Sequence, residues 1–262
     1  MPHPIIASFL VFPLTMSPSF GQAPDIPFRA TIPELSKAQQ LIVSITSDRS
    51  ANEATIFLFD RVQMGGRWHL ATPAFPAVCG RRGLAWGIGL HGGAPPCEQE
   101  KKEGDGKSPC GVFQLHETFG SEPAVEVGKV SFPYRQITRF HVGVDDPASK
   151  FYNRIVDSRE VQQDWNHVEP MLRPDGLYRI GVVIEHNWTP IPSFGSCIFL
   201  HIWRGPRSPT DGCTAMAESD LWALIHWVVA NKNPLFVQLP IDVYRSQTSW
   251  ELPSLPGVSS LK

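Results

Sequence analysis

The chain has 262 residues, 42% of them apolar, enough to bury one substantial core. Its 23 Lys and Arg stand against 25 Asp and Glu for a formal net charge of −2. That balance makes no overall electrostatic case for a nucleic-acid ligand, whose phosphates demand clustered Lys and Arg. With 25 prolines and 21 glycines, and no long periodic helical stretch before residue 218, the composition favours short strands joined by turns, a mainly β chain in one domain.

The first residues carry an apolar run from Ile5 to Leu14, followed by Ser-Pro-Ser-Phe-Gly-Gln-Ala23. This length suits the hydrophobic region of a signal peptide and is too short to cross a bilayer, so residues 1–23 are read as an export leader. Nothing else in the sequence is long and apolar enough to be a membrane span. Residues 24–38 are rich in proline and read as a linker.

Two segments, 39–46 and 54–60, are rich in β-branched and aromatic residues and flank a polar turn, so they are expected to form a hairpin. Gly65 to Leu70 is a candidate third strand. Residues 98–107 are a charged run whose simplest reading is a solvated loop. Between Phe132 and Gly176 polar residues mix with aromatics without a period, which suits an inserted lid or cap over a site, or a plain surface excursion. Residues 177–186 and 196–201 read as strands. Glu218 to Asn231 is the one clear helix, with Leu221, Leu224, Ile225 and Val228 on one face. Residues 236–244 are a candidate closing strand, the core domain spans 39–245, and 246–262 read as a tail.

The segment His201-Ile-Trp-Arg-Gly-Pro-Arg-Ser-Pro-Thr-Asp-Gly-Cys213 carries the chemistry. A thiol becomes an effective nucleophile at neutral pH when a base lies within hydrogen-bond reach, and His201 supplies one for Cys213. Gly212 lets backbone N–H groups approach a developing oxyanion, where a bulkier residue obstructs the turn. The combination points to acyl transfer.

The chain also has five cysteines, an odd number. In an oxidising compartment, reserving Cys213 as a thiol leaves Cys79, Cys97, Cys110 and Cys197, which allow three connectivities. The preferred one is Cys79–Cys97, closing a local loop, with Cys110–Cys197. No two cysteines form a Cys-x-x-Cys pair, and their spacings match no common zinc module, so neither a metal nor another cofactor is expected.

Ser196-Cys-Ile-Phe-Leu-His201 followed by Thr210-Asp-Gly-Cys213 resembles the signature of the L,D-transpeptidase catalytic domain, the YkuD-like family. Upstream, Lys102-Glu-Gly-Asp-Gly-Lys-Ser-Pro-Cys-Gly-Val-Phe113 is similar to that family's Gly-x-x-Thr/Ser-Pro-x-Gly-x-Phe segment. The resemblance covers roughly residues 39–245. It implies a β-sandwich-like domain with a helix after the cysteine and a lid over the cleft. The implied activity is attack by the Cys213 thiolate on the bond between diaminopimelate and D-alanine in a peptidoglycan stem peptide. The acyl group then passes to an amine of a second stem, or to water in a carboxypeptidase. A wall-binding protein that keeps the fold without catalysis is the remaining alternative.

By the same resemblance the backbone carbonyl of Ile202 holds the base. His186, Trp203, Arg204, Thr210 and Asp211 are the candidate substrate contacts, with Arg207 a second candidate for a stem carboxylate. Asp211 and Ala215 replace the histidine and the Arg or Asn that many members carry beside the cysteine, which leaves the acceptor open.

Overall fold

The computed structural model describes residues 25–128 and 130–257, so the expected leader over residues 1–23 lies outside the described residues. The hairpin forms from β1 (Gln40–Thr46) and β2 (Glu53–Asp60), paired antiparallel from Gln40↔Asp60 to Thr46↔Ala54. All of β1 is buried. Leu41, Val43 and Ile45 enter one apolar cluster while Ile42 enters another, so both faces of the strand are covered. Two-sided burial is why this strand reads as a nearly continuous apolar run.

The chain then gives β3 (His69–Leu70), β4 (Phe75–Val78), β5 (Leu84–Trp86), β6 (Ser108–Gly120) and β7 (Tyr134–Gln136). A small separate sheet follows, with β8 (His141–Val144) between β9 (Arg154–Asp157) and β10 (Glu169–Pro170). Next come β11 (Ile180–Ile184), β12 (Phe199–Ile202), β13 (Thr214–Met216) and β14 (Leu235–Pro240). The fold is mainly β.

The expected mainly β domain takes the form of a closed ring of strands. Pairings run β1-β14-β6-β11-β12-β13-β4-β2, and β2 returns to β1. Closure happens because β2 pairs with β4 along one edge and with β1 along the other, which leaves no free edge in the ring. The third strand shortens to the two exposed residues of β3. The predicted closing strand splits: β14 lies parallel to β1, and from Ile241 the chain turns into a short helix, since Pro240 has no N–H to continue a ladder.

Among the described residues four α-helices accompany the ring: α1 (Pro33–Lys37), α2 (Ala124–Val127), α3 (Glu218–Trp227) and α4 (Ile241–Ser246). The predicted helix is α3, packed against β11 and β12 with Leu221, Leu224 and Ile225 buried. It stops at Trp227, earlier than expected, where Val228 is extended and a separate 3-10 turn covers Ala230–Lys232. No helix among the described residues is long and apolar enough to cross a membrane.

The segments read as linker and tail belong to the core. Leu35 of α1 is buried, and the buried guanidinium of Arg61 donates to the carbonyls of Leu35 and Ala38 at 2.6 Å and of Ser36 at 2.8 Å, capping the end of α1. At the other terminus Trp250 is 2% exposed among Phe28, Trp86 and His91, and Tyr244 donates to the Pro253 carbonyl at 2.8 Å.

The expected disulfides do not form, and all five cysteines are free. Cys79 and Cys110 are buried in the cluster of Leu41 and Trp86, whereas Cys97 is exposed and Cys197 lies in a different cluster with Phe199 and Cys213.

Because Trp250 seals the main cluster, Trp250→Ala should cost about 3–5 kcal/mol of unfolding free energy in urea titration. A loss under about 0.5 kcal/mol, the range of ordinary surface changes, contradicts this placement of the terminal segment.

Candidate active site

The register of β12 and β13 builds the site. They run parallel, with Leu200↔Thr214 and His201↔Ala215, so Cys213, one residue before β13, stands level with Phe199. The Phe199 N–H donates to Cys213 Sγ at 3.3 Å. Side chains alternate along a strand, so Phe199 and His201 share a face with Cys213 and Ala215. Cys213 and His201 thus occupy diagonal positions on adjoining strands. Both line a cavity of about 510 Å³.

The turn before Cys213 is clamped at one atom. The Cys213 carbonyl accepts from Thr210 Oγ1 at 2.5 Å and from Ser108 Oγ at 2.8 Å, and Ser108 in turn accepts from the Gly80 N–H at 2.8 Å. Here the two sequence motifs meet, Ser108 from the upstream one and Thr210 from the downstream one. Their approach requires glycine at 80, since a Cβ there falls 2.6 Å from Ser108 N and Gly106 O. At Gly111 φ is +136°, and a Cβ falls 2.0 Å from Cε1 of the buried His91. Thr210 is therefore a turn clamp. The Gly212 N–H also donates to Thr210 Oγ1, at 3.2 Å, so in this state that amide is occupied and does not face an oxyanion.

His201 is 6% exposed, and its Nδ1 lies 2.8 Å from the Ile202 carbonyl. A carbonyl only accepts, so Nδ1 carries the hydrogen and Nε2 keeps its lone pair for a proton. Burial pushes the imidazole down to about 4, opposed by the Ile202 contact and reinforced by Arg173. Burial also pushes the Cys213 thiol up to about 12, and nearby Glu169 adds to it, while the Phe199 N–H and Lys101 act the other way. At neutral pH the pair is thiol and neutral imidazole, with the thiol proton directed at the Cys197 carbonyl 3.4 Å away.

The rest of the pocket is polar and charged. Lys101, 2% exposed, is ion-paired with Asp105 at 2.6 Å. Glu169 from β10 accepts from the Tyr178 hydroxyl at 2.6 Å and from Arg173 at 3.1 Å. Arg173 also pairs with Asp175 at 2.7 Å, and Asp175 holds Arg204 at 3.1 Å. The Tyr178 ring meets His201 edge-on with centroids 5.2 Å apart. Glu103 accepts from Ser196 at 2.8 Å and from Tyr152.

Trp203, Arg204 and Asp211 line the pocket as candidates for substrate contact, and Asp211 is exposed and ion-paired with Arg81. His186 does not join them. It is fully buried, its Nδ1 accepts from the Ile88 N–H at 3.2 Å, and its Nε2 lies 2.9 Å from the Phe194 carbonyl. Both ring nitrogens serve the backbone, and burial lowers its proton affinity to about 3. The residues missed in the sequence are Lys101, Ser108, Glu169, Arg173 and Tyr178. Ser108 lay inside a recognised motif, Lys101 in the charged run and Tyr178 at the start of an expected strand, while Glu169 and Arg173 come from the aperiodic stretch before Gly176.

No family model matches the chain, and no curated protein does. Among solved structures it is similar to Bd1075 of Bdellovibrio bacteriovorus, with a TM-score of 0.37 and 12% identity over 81% of this chain and 53% of that one. The chain therefore spans about half the length of that neighbour.

Brief iodoacetamide treatment of the native protein at pH 7, with modified peptides mapped by mass spectrometry, should label the exposed Cys97 first. Cys213 should label slowly and accelerate as pH rises toward about 12, because the thiolate is the reactive form. Fast labelling of Cys213 at pH 7 contradicts the neutral pair.

Proposed function

We propose that the protein is an exported cysteine acyltransferase of the L,D-transpeptidase type, acting on peptidoglycan stem peptides. The observation that carries the reading is the shared face of Cys213 and His201 on adjoining strands inside one pocket, with His201 Nδ1 tied to the Ile202 carbonyl. The stem-peptide substrate rests on the resemblance of the motifs around Ser108 and Cys213. In the cell envelope such an enzyme meets its substrate directly.

The neutral pair dictates how the reaction starts. As Sγ of Cys213 attacks the carbonyl carbon between diaminopimelate and D-alanine, its proton moves to Nε2 of His201, so no free thiolate has to be populated beforehand. The imidazolium then returns that proton to the departing amine of D-alanine, leaving a thioester on Cys213. An amine of a second stem, or water, attacks the thioester with His201 again taking the proton. Transfer and hydrolysis differ only in the group that enters at this last step. Arg204, exposed at the pocket and held by Asp175 through a single contact, is the cationic group best placed for a stem carboxylate.

Incubation with a purified disaccharide tetrapeptide should release D-alanine, and chromatography then separates a cross-linked dimer from a tripeptide product. Cys213→Ala should abolish release, and His201→Gln should lower its rate at least about 100-fold. Undiminished release by Cys213→Ala contradicts the proposal, and a correctly folded wild-type protein that releases nothing supports the wall-binding alternative.

A further inference from the structure

We infer that Asn153 is a positioning residue of this site: it holds Cys197 in a left-handed turn whose carbonyl seats the Cys213 thiol, and so fixes where the sulfur stands when it attacks. This rests on Cys213 being the nucleophile and is independent of which acyl group is transferred.

The sulfur is held from one segment of backbone. Cys213 Sγ accepts from the Phe199 N–H at 3.3 Å and donates to the Cys197 carbonyl at 3.4 Å, so its donor and its acceptor lie two residues apart where the chain enters β12. The thiol fills the place that a peptide group takes in a ladder. Two contacts of opposite sense fix the position of Sγ, and only its hydrogen is left to rotate.

The Cys197 carbonyl is aimed by an uncommon backbone conformation. Cys197 has a φ of +52°, in the left-handed region that a Cβ disfavours, and such a residue persists only where its surroundings over-determine it. Asn153 supplies that constraint. Its Oδ1 accepts from the Cys197 N–H at 2.9 Å, and its Nδ2 donates to the carbonyls of His186 and Asn187, both at 2.8 Å. The reversed amide would set its oxygen against two carbonyls and its NH2 against an N–H, so one orientation satisfies all three partners. Asn153 is 7% exposed and stands behind Cys197, outside the lining of the Cys213 cavity.

The inserted small sheet carries Asn153 to this place. It directly precedes β9, and its own N–H donates to the Val144 carbonyl at the end of β8 at 2.8 Å. Gly143 in β8 lets the sheet close on Cys197, since a Cβ there would fall 3.1 Å from Cys197 Sγ. On the other side Asn187, fully buried, donates to the carbonyls of Ile191 and Gly195 at 2.9 and 3.0 Å, which closes the loop that leads to Cys197. Asn153 and Asn187 are left-handed as well, with φ of +62° and +49°. Asparagine tolerates that conformation, so Cys197 is the strained member of the three. The stretch read from sequence as a lid or a surface excursion thus reaches the nucleophile through one side-chain amide.

The S–H stretching band of Cys213, isolated in infrared difference spectra against Cys213→Ser, reads this hydrogen bond directly and needs no substrate. The native protein should show the lowered frequency of a hydrogen-bonded thiol. Asn153→Ala should move the band to the free-thiol frequency and lower kcat for D-alanine release by at least about tenfold with KM within about twofold, the loss of one hydrogen bond away from the substrate. Adding Cys197→Gly to Asn153→Ala should return the band and much of kcat, because glycine takes the left-handed turn without a Cβ penalty, while the melting temperature stays low. If Asn153→Ala does not fold, Cys197→Val, whose branched Cβ opposes the turn with Asn153 in place, should free the band. A native band at the free-thiol frequency overturns the inference, as does an unmoved band in folded Asn153→Ala or in Cys197→Val, or a double variant no better than Asn153→Ala. If the bands move as expected while the wild type releases no D-alanine, the positioning of the thiol stands and the stem-peptide reading fails.

Discussion

The parallel pairing of β12 with β13 is the constraint on which the site depends. His201↔Ala215 fixes the level of the base, and the preceding residues bring Cys213 level with Phe199. A shift of one residue turns the thiol to the opposite face, because side chains alternate with a period of two. The hold on the Cys213 carbonyl by Thr210 and Ser108 guards against such a shift, and does so from two segments about a hundred residues apart along the chain. Ring closure supplies the rest. β4 pairs β13 on its outer side while β11 pairs β12, so neither β12 nor β13 is at an edge.

Burial then sets the chemistry. Removing thiol and imidazole from water disfavours both charged forms, and Glu169 opposes the thiolate further. The site therefore resembles a hydroxyl nucleophile with its general base more than a preformed thiolate–imidazolium pair. On the proposed reading, such a site stays unreactive until an electrophile is seated. That suits a buried cysteine whose protein carries four other free thiols. The polar segments that wall the pocket, among them β10 and the stretch holding Arg173 and Tyr178, place Glu169 where it can modulate that balance.

Local signals were legible where local physics decides. The hairpin, the amphipathic α3 and the His201 to Cys213 segment could all be read from pattern and spacing. What could not be read depends on distant pairing. β14 joins β1 across most of the chain, and no period in residues 236–244 distinguishes a strand that continues from one that ends at Pro240. Cysteine arithmetic counts sulfurs but not which cluster each enters, and in the structure Cys110 lies in one cluster and Cys197 in another. His186, expected at the substrate, proved to be a backbone fastener, because a histidine at a strand end looks the same in sequence whether its nitrogens face a ligand or carbonyls and amides. Glu169 and Tyr178 carried no motif, and only their meeting across the pocket gives them a role.

The most direct measurement of the central claim is the mass of the protein quenched in acid during turnover of a disaccharide tetrapeptide. The account predicts a covalent species heavier by the donor stem less D-alanine, with the added mass on the peptide that contains Cys213. D-alanine release with no adduct on Cys213, or with the adduct on another cysteine, contradicts it.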